Sequence, residues 1–115
     1  MTSTPPARRP YLAVLLSGSS ADTADYEPLY REDVTLLYAA SPEEARRRAE
    51  EYGRGLEGTH TNDRGERISW SLLHVVDVAP VLQDTFDDDA ELYSRHLRDV
   101  AAYRAFEPLL SGRQL

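Results

Sequence analysis

Four side chains in this sequence could together bind a polar ligand: His74, Asp77, Tyr93 and Arg95. They offer an imidazole, a carboxylate, a phenol and a guanidinium group, which between them donate and accept hydrogen bonds. The first two lie in a predicted strand and the last two in a predicted helix. We therefore predict a ligand-binding site where that strand meets that helix, and we assign no residue a catalytic role.

Two of these residues have more than one interpretation. His74 lies on an apolar strand face, which favours a core histidine that donates one ring hydrogen bond, whereas a general base is the alternative. Arg95 has the spacing to pair with Glu91 on its own helix, and it could instead reach Asp77 on the long strand.

Metal chemistry is not indicated by the remaining ionisable residues. The three histidines are far apart in the sequence, and none has a second histidine or cysteine at ligand spacing. The acidic run at Asp84 and residues 87–89 lacks the spacing and glycine of an EF-hand, so it is interpreted as a helix-capping loop. We expect neither a metal nor another cofactor.

The charge balance argues against nucleic acid as a partner. The formal net charge is -7, which a phosphate backbone would repel. The arginine run 46–48 could bind phosphate, but acidic residues at helical spacing predict three ion pairs instead: Glu43–Arg47, Glu44–Arg48 and Arg46–Glu50. We therefore interpret the run as a solvated helix face.

Localisation follows from simple sequence features. No apolar run approaches the roughly 20 residues needed to cross a bilayer, so no membrane association is expected. The N-terminus does not have the pattern of a signal peptide, and there are no cysteines. The sequence therefore predicts a cytoplasmic protein.

No catalytic signature stands out. There is no Ser-His-Asp ordering, glycine-rich phosphate loop or glycosidase-like carboxylate pair. Seven tyrosines, some of them candidates for an interface, favour a non-catalytic binding or protein-interaction module. The alternative is a small-molecule-binding protein or small enzyme with a site between the strand 67–79 and the helix 89–106. Whether a reaction is catalysed stays open.

The clearest local signal is a strand that runs directly into a helix. Alternating apolar residues over 34–38 predict a half-buried strand. Ser41 then supplies an N-cap hydroxyl, Pro42 fits the first helical position, and Glu44 completes a capping box. The predicted inward positions of this helix are Ala45, Ala49, Tyr52 and Leu56.

The other elements complete an α+β domain in the order ββαββα, a four-stranded and mostly antiparallel sheet with two helices mainly on one face. The strands are predicted at 11–17, 31–40, 59–61 and 67–79, and the helices at 42–54 and 89–106. Asp88 is the predicted cap of the second helix. Without a bulge, the long strand would present His74 and Val76 on one face with Ile68, Trp70, Leu72 and Val78. The pairs Leu72-Leu73 and Val75-Val76 leave a bulge or a second covered face open.

The predicted organisation is a disordered tail over 1–10, one domain over 11–107 and a C-terminal tail over 108–115. Tyr11, Ala13 and Leu15 form one face of the first strand, which helices on the other face would leave uncovered. We predict that a second copy covers it and forms a twofold dimer. The competing explanation is that the loop 18–30 folds back over it.

Four short motifs follow one another along the chain: a Ser-x-Glu-Glu-Ala helix start at 41–45, Gly-Glu-x-x-x-Trp at 65–70, Val-Asp-Val at 76–78 and Glu-Leu-Tyr-Ser-Arg at 91–95. In their order and spacing they resemble a small bacterial family, the domain-of-unknown-function type numbered four-two-eight-eight. The resemblance spans roughly residues 11–98. It implies a bacterial domain without an established activity, and it transfers no catalytic residues.

Overall fold

The computed structural model describes residues 7–83, 85–107 and 109, and it contains four strands and two helices. In chain order these are β1 (Arg9–Ala21), β2 (Tyr30–Ala39), α1 (Pro42–Gly55), β3 (Gly58–Thr61), β4 (Arg67–Pro80) and α2 (Val100–Phe106). The strands form one antiparallel sheet in the order β2-β1-β4-β3. The predicted α+β class and the order ββαββα are confirmed.

The ends of the chain are only partly described. Arg9 and Pro10, which were predicted to belong to the N-terminal tail, are the first residues of β1. Residues 1–6 of that tail lie outside the described residues, as do 108 and 110–115 of the predicted C-terminal tail.

Helix α1 begins as its sequence predicts. The Ser41 hydroxyl accepts a hydrogen bond from the Glu44 amide at 3.1 Å, and Pro42 is the first helical residue. The Glu44 carboxylate in turn accepts one from the Ala40 amide at 3.4 Å. These contacts satisfy backbone donors that a helix start leaves unpaired, which fixes where the helix leaves β2.

The hydrophobic core lies between α1 and one face of the sheet. Ala45 and Ala49 of α1 pack there against side chains of three strands. Those from β1 are Tyr11, Ala13 and Leu15, those from β2 are Leu37 and Ala39, and β4 contributes Val75 among others. The predicted inward residues Tyr52 and Leu56 are exposed, and Gly53 is buried in their place. A methyl group on Gly53 would come within 2.8 Å of Leu72, so glycine lets the last turn of α1 approach β4 closely.

Strand β4 contains two irregularities in its pairing with β1. Val14 lies opposite Asp77 but Leu15 lies opposite Val75, so Val76 is an extra residue; Leu73 is extra in the same way. The bulge left open by the sequence is therefore present, twice. As a result Leu72, Val75 and Val78 reach the core at intervals of three residues.

The two bulges correct the predicted face of the long strand. Because each extra residue shifts the alternation, His74 and Val76 lie on the face opposite to the core instead of sharing it with Leu72. His74 is exposed, so the prediction of a core histidine is wrong.

The predicted uncovered face is also corrected. Tyr11, Ala13 and Leu15 pack beneath α1. Among the described residues no helix packs against the other face of β1, although Leu12 and Val14 on that face are also buried. Both faces of β1 are apolar, so the sequence did not indicate which face α1 would take. We call the side that carries Leu12 and Val14 the helix-free face.

The second helix is much shorter than predicted. Residues 89–99 are irregular, and α2 is capped by Asp99, whose carboxylate accepts a hydrogen bond from the Ala102 amide at 3.0 Å. Asp89 has a φ of 57°, a left-handed conformation that cannot continue a right-handed helix. Asp88 is therefore not the cap.

Residues 85–107 form what we call the C-terminal arm. None of the residues of α2 is buried. Among the described elements, no strand or helix lies close to α2. The part of the arm that forms α2 is therefore only loosely associated with the sheet.

Candidate functional site

Among the described residues, a hydrogen bond between two side chains fastens the C-terminal arm to the sheet. The Tyr93 hydroxyl donates to Oδ2 of Asp77, and both residues are half-buried. Asp77 lies opposite Val14 on the helix-free face, directly after the extra residue Val76. The bulge thus determines which side of the sheet the carboxylate is on, and the arm supplies the phenol.

This contact raises the pKa of Tyr93. The largest cause is the hydrogen bond to Asp77, followed by burial and the negative charge of Asp77. The nearby Arg95 acts in the opposite direction, and Glu32 adds a small increase. The phenol is therefore held in its neutral form, in which it can donate.

A groove of about 680 Å³ lies between the arm and the helix-free face. The sheet contributes Glu32 and Val76. The arm contributes the remaining eight lining residues: Tyr93, Ser94, Arg95, His96, Leu97, Tyr103, Phe106 and Glu107. The groove therefore has apolar walls with a few charged groups, including one guanidinium and two carboxylates.

The four predicted site residues are only partly brought together. Asp77 and Tyr93 are in direct contact, and Arg95 lines the same groove as Tyr93. His74 lies on the same face of the sheet, opposite Leu16, but does not line the groove. In the described part of the chain Arg95 forms no ion pair with Glu91 or Asp77, so it is the phenol of Tyr93 that reaches the strand.

Sequence reasoning missed an apolar patch on the helix-free face. Six exposed side chains form it: Tyr30, Val34, Leu36, Tyr38, Leu73 and Val76. Four of these alternate along β2, and the other two are the extra residues of the bulges in β4. The alternation over β2 was visible in the sequence, but it was interpreted as the inner face of a half-buried strand.

Trp70 is half-buried rather than fully in the core. The Arg31 guanidinium carbon lies 4.7 Å from the centre of its ring, a cation–π distance. The Arg31 guanidinium also pairs with Asp33 at 2.9 Å. Trp70 therefore stabilises the end of the sheet beyond α1 and takes no part in the groove.

A second polar cluster joins the β1–β2 loop to the β3–β4 hairpin. The Glu66 carboxylate accepts hydrogen bonds from the Thr23 hydroxyl at 2.7 Å and from the Asn62 amide at 2.9 Å. The bond from Asn62 is the largest cause that lowers the pKa of Glu66, and the bond from Thr23 adds to it. We interpret this cluster as a structural connection between two loops.

The arginine run lies on the exposed side of α1. Three ion pairs follow the helix at four-residue spacing: Glu44–Arg48 at 3.9 Å, Arg47–Glu51 at 3.9 Å and Glu50–Arg54 at 2.9 Å. Only the first was among the predicted pairs. Exposed pairs of this kind contribute little stability.

Within the described residues no three histidine, aspartate or glutamate side chains converge as metal ligands. Asp84 of the acidic run lies outside those residues. No helix among the described residues is long and apolar enough to span a membrane.

The fold and the site define a class: a small α+β domain whose four-stranded antiparallel sheet is covered by a helix on one face only. Residues 10–94 match the family described as "Domain of unknown function (DUF4288)", so the chain belongs to that family. The match covers all of the sheet except Arg9 and includes both Asp77 and Tyr93, whereas α2 lies beyond it. Among curated proteins and solved structures, nothing matches the chain.

Proposed function

We propose that this chain is a non-catalytic protein-interaction domain of the bacterial cytoplasm, which binds its partner through the helix-free face. The observation that carries the proposal is the patch of six exposed apolar side chains across β2 and β4. Tyr30 is 61% exposed and Val34 is 59% exposed, although each points from a strand toward the side where a covering layer would lie. Val34, Leu36 and Tyr38 follow one another on this face of β2, and contiguous apolar patches mark interaction sites on proteins.

The composition of the patch supports the same conclusion. Tyrosine is enriched at protein interfaces because it offers a large contact area together with a polar tip. Two of the six residues, Tyr30 and Tyr38, are tyrosines at opposite ends of β2. Glu32 lies on the same face of β2 between Tyr30 and Val34, so a partner must pair this carboxylate or leave it in contact with water.

Site-specific photocrosslinking in cells that express the chain tests this proposal. A photoreactive phenylalanine analogue replaces Tyr38 on the patch, and in a matched control it replaces Tyr52, which is similarly exposed on α1. We expect protein adducts from position 38 and few from position 52. Equal adduct yields at the two positions, or none at either, would contradict the proposal.

The groove supports a second candidate, a small-molecule-binding protein or small enzyme. Its volume of about 680 Å³ lies within the roughly 300–1,000 Å³ typical of ligand pockets, and Arg95 offers a fixed positive charge at its wall. The ligand class would be a molecule with an apolar body and an anionic group. A thermal-shift screen of such compounds tests it: stabilisation that Arg95→Ala abolishes and Arg98→Ala retains would support this candidate.

A further inference from the structure

We infer that the occupant of the helix-free face is a second copy of this chain, packed about a twofold axis against the exposed apolar patch beside the arm. This inference rests on the proposed function and names the partner. It differs from the dimer predicted from the sequence, because Tyr11, Ala13 and Leu15 lie on the opposite face. Leu12 and Val14 of the helix-free face are already buried within one chain, so the contact is made by the patch residues of β2 and β4.

The exposed area of the patch supplies part of what a stable dimer needs. Tyr30 and Tyr38 are 61% and 43% exposed, which together is about one whole aromatic side chain, or roughly 150–250 Å². The four aliphatic residues of the patch enlarge this area. A specific interface of standard size takes about 800 Å² from each partner, so the patch needs one more contributing element.

The C-terminal arm supplies that element from within the same chain. Leu97, Tyr103 and Phe106 line the groove beside the patch, yet all three are largely exposed, Phe106 at 78%. Because α2 buries none of its residues, the arm has apolar side chains to contribute and no core of its own. In a twofold pair both arms lie beside the contacting patches, and each adds apolar area to the interface.

The distribution of charge is compatible with a second copy. Each copy carries a net charge of -7, which opposes association. However, the acidic side chains on this face of β1, β2 and β4 are Glu32 and Asp77, and Asp77 already accepts the Tyr93 hydroxyl. The remaining repulsion is long-range and screened by salt, so added salt should tighten a pair of copies, whereas it would weaken binding to a basic partner.

Light scattering coupled to size exclusion tests the inference on the full chain at tens of micromolar protein. We expect a mass twice that of the 13.0 kDa chain. Tyr38→Glu should raise the dissociation constant of the dimer by a factor of about 100 or more, because it places a charge in a desolvated interface. Tyr52→Glu, at a matched exposed tyrosine on α1, should remain dimeric.

Two controls distinguish a lost interface from a loss of folding. Circular dichroism shows whether Tyr38→Glu is folded, and Val34→Glu provides a second variant at an exposed position on the same face. A monomeric wild-type chain, or a Tyr38→Glu variant that stays dimeric while folded, would overturn the inference.

Photocrosslinking from position 38 separates this inference from the proposed function. Adducts between isotopically light and heavy copies support the second copy as the occupant. Adducts with a different protein alone would overturn the second copy and leave the interaction domain standing. The absence of any adduct at position 38 would contradict both.

Discussion

At the scale of single residues, the hydrogen bond between Tyr93 and Asp77 holds the arm against the helix-free face of the sheet. A hydrogen bond to a charged carboxylate contributes about 1.5–3 kcal/mol, and less where both groups are partly exposed, as here. The same bond joins a carboxylate on a bulged strand to a segment without regular structure. Among the described residues, this hydrogen bond joins the arm to the sheet beside the groove.

The protonation of Tyr93 gives this contact a defined pH range. The pKa of Tyr93 is raised above the tyrosine value of 10.0, so the folded chain favours the neutral phenol. The stabilisation is therefore fully present below pH 10 and is lost as the pH rises through the raised pKa. At physiological pH the arm stays attached.

Titration of tyrosine absorbance tests this prediction. We expect the phenol with a raised pKa to disappear from the titration curve in Tyr93→Phe. In Asp77→Asn, which removes both the acceptor charge and its attraction for the proton, the pKa of Tyr93 should move down toward 10.0. Identical curves for the wild-type chain and Asp77→Asn would show that Asp77 does not cause the shift.

At the scale of elements, the close approach of α1 to β4 depends on Gly53. An alanine inside a helix is normally favoured over glycine by about 1 kcal/mol. At position 53 its methyl group would come within 2.8–3.3 Å of three side-chain atoms of Leu72. Leu72 packs against the core, so it can move away only by disturbing its neighbours.

We therefore predict that Gly53→Ala destabilises the protein by about 1–3 kcal/mol, the usual cost of overpacking. Gly55→Ala is the matched control in the same helix, because a methyl group there meets no atom within 4 Å. Urea unfolding compares the two variants. A Gly53→Ala variant as stable as Gly55→Ala would show that Leu72 adapts at little cost.

How far the sequence predicted each element depended on whether its signal was local. The start of α1 is encoded within Ser41, Pro42 and Glu44, and it was predicted correctly. The helix at 89–106 had apolar periodicity, but the left-handed Asp89 and the hydrogen bond from Tyr93 to Asp77 hold residues 89–99 in another conformation. Such tertiary contacts cannot be inferred from periodicity alone.

The sequence predicted only part of the candidate site, because the bulges and tertiary contacts that shape it are not encoded in a local pattern. Asp77, Tyr93 and Arg95 were expected at one place, and they lie at or beside the groove. The exposure of His74 follows from the bulge at Leu73, which the sequence left open as one of two alternatives. The apolar patch was missed because the two faces of β1 are both apolar and do not reveal which one α1 covers.

At the scale of the whole molecule, the domain separates into a packed part and a loosely attached part. The buried hydrophobic residues of the described chain lie in β1, β2, α1 and β4, and none lies in the arm. The family match likewise ends at residue 94, before α2 begins. The core should therefore fold without α2, whereas association of two copies should depend on it.

A chain that ends after Ser94 tests this separation. We expect it to unfold cooperatively, with a midpoint at low protein concentration close to that of the full chain. At high concentration only the full chain should gain stability, because binding a second copy stabilises the folded state by mass action. Leu15→Ala serves as the comparison for a true core residue, with an expected loss of about 2–5 kcal/mol. If removal of residues 95–115 abolished cooperative unfolding, α2 would be part of the core and the arm would not be free to contribute to an interface.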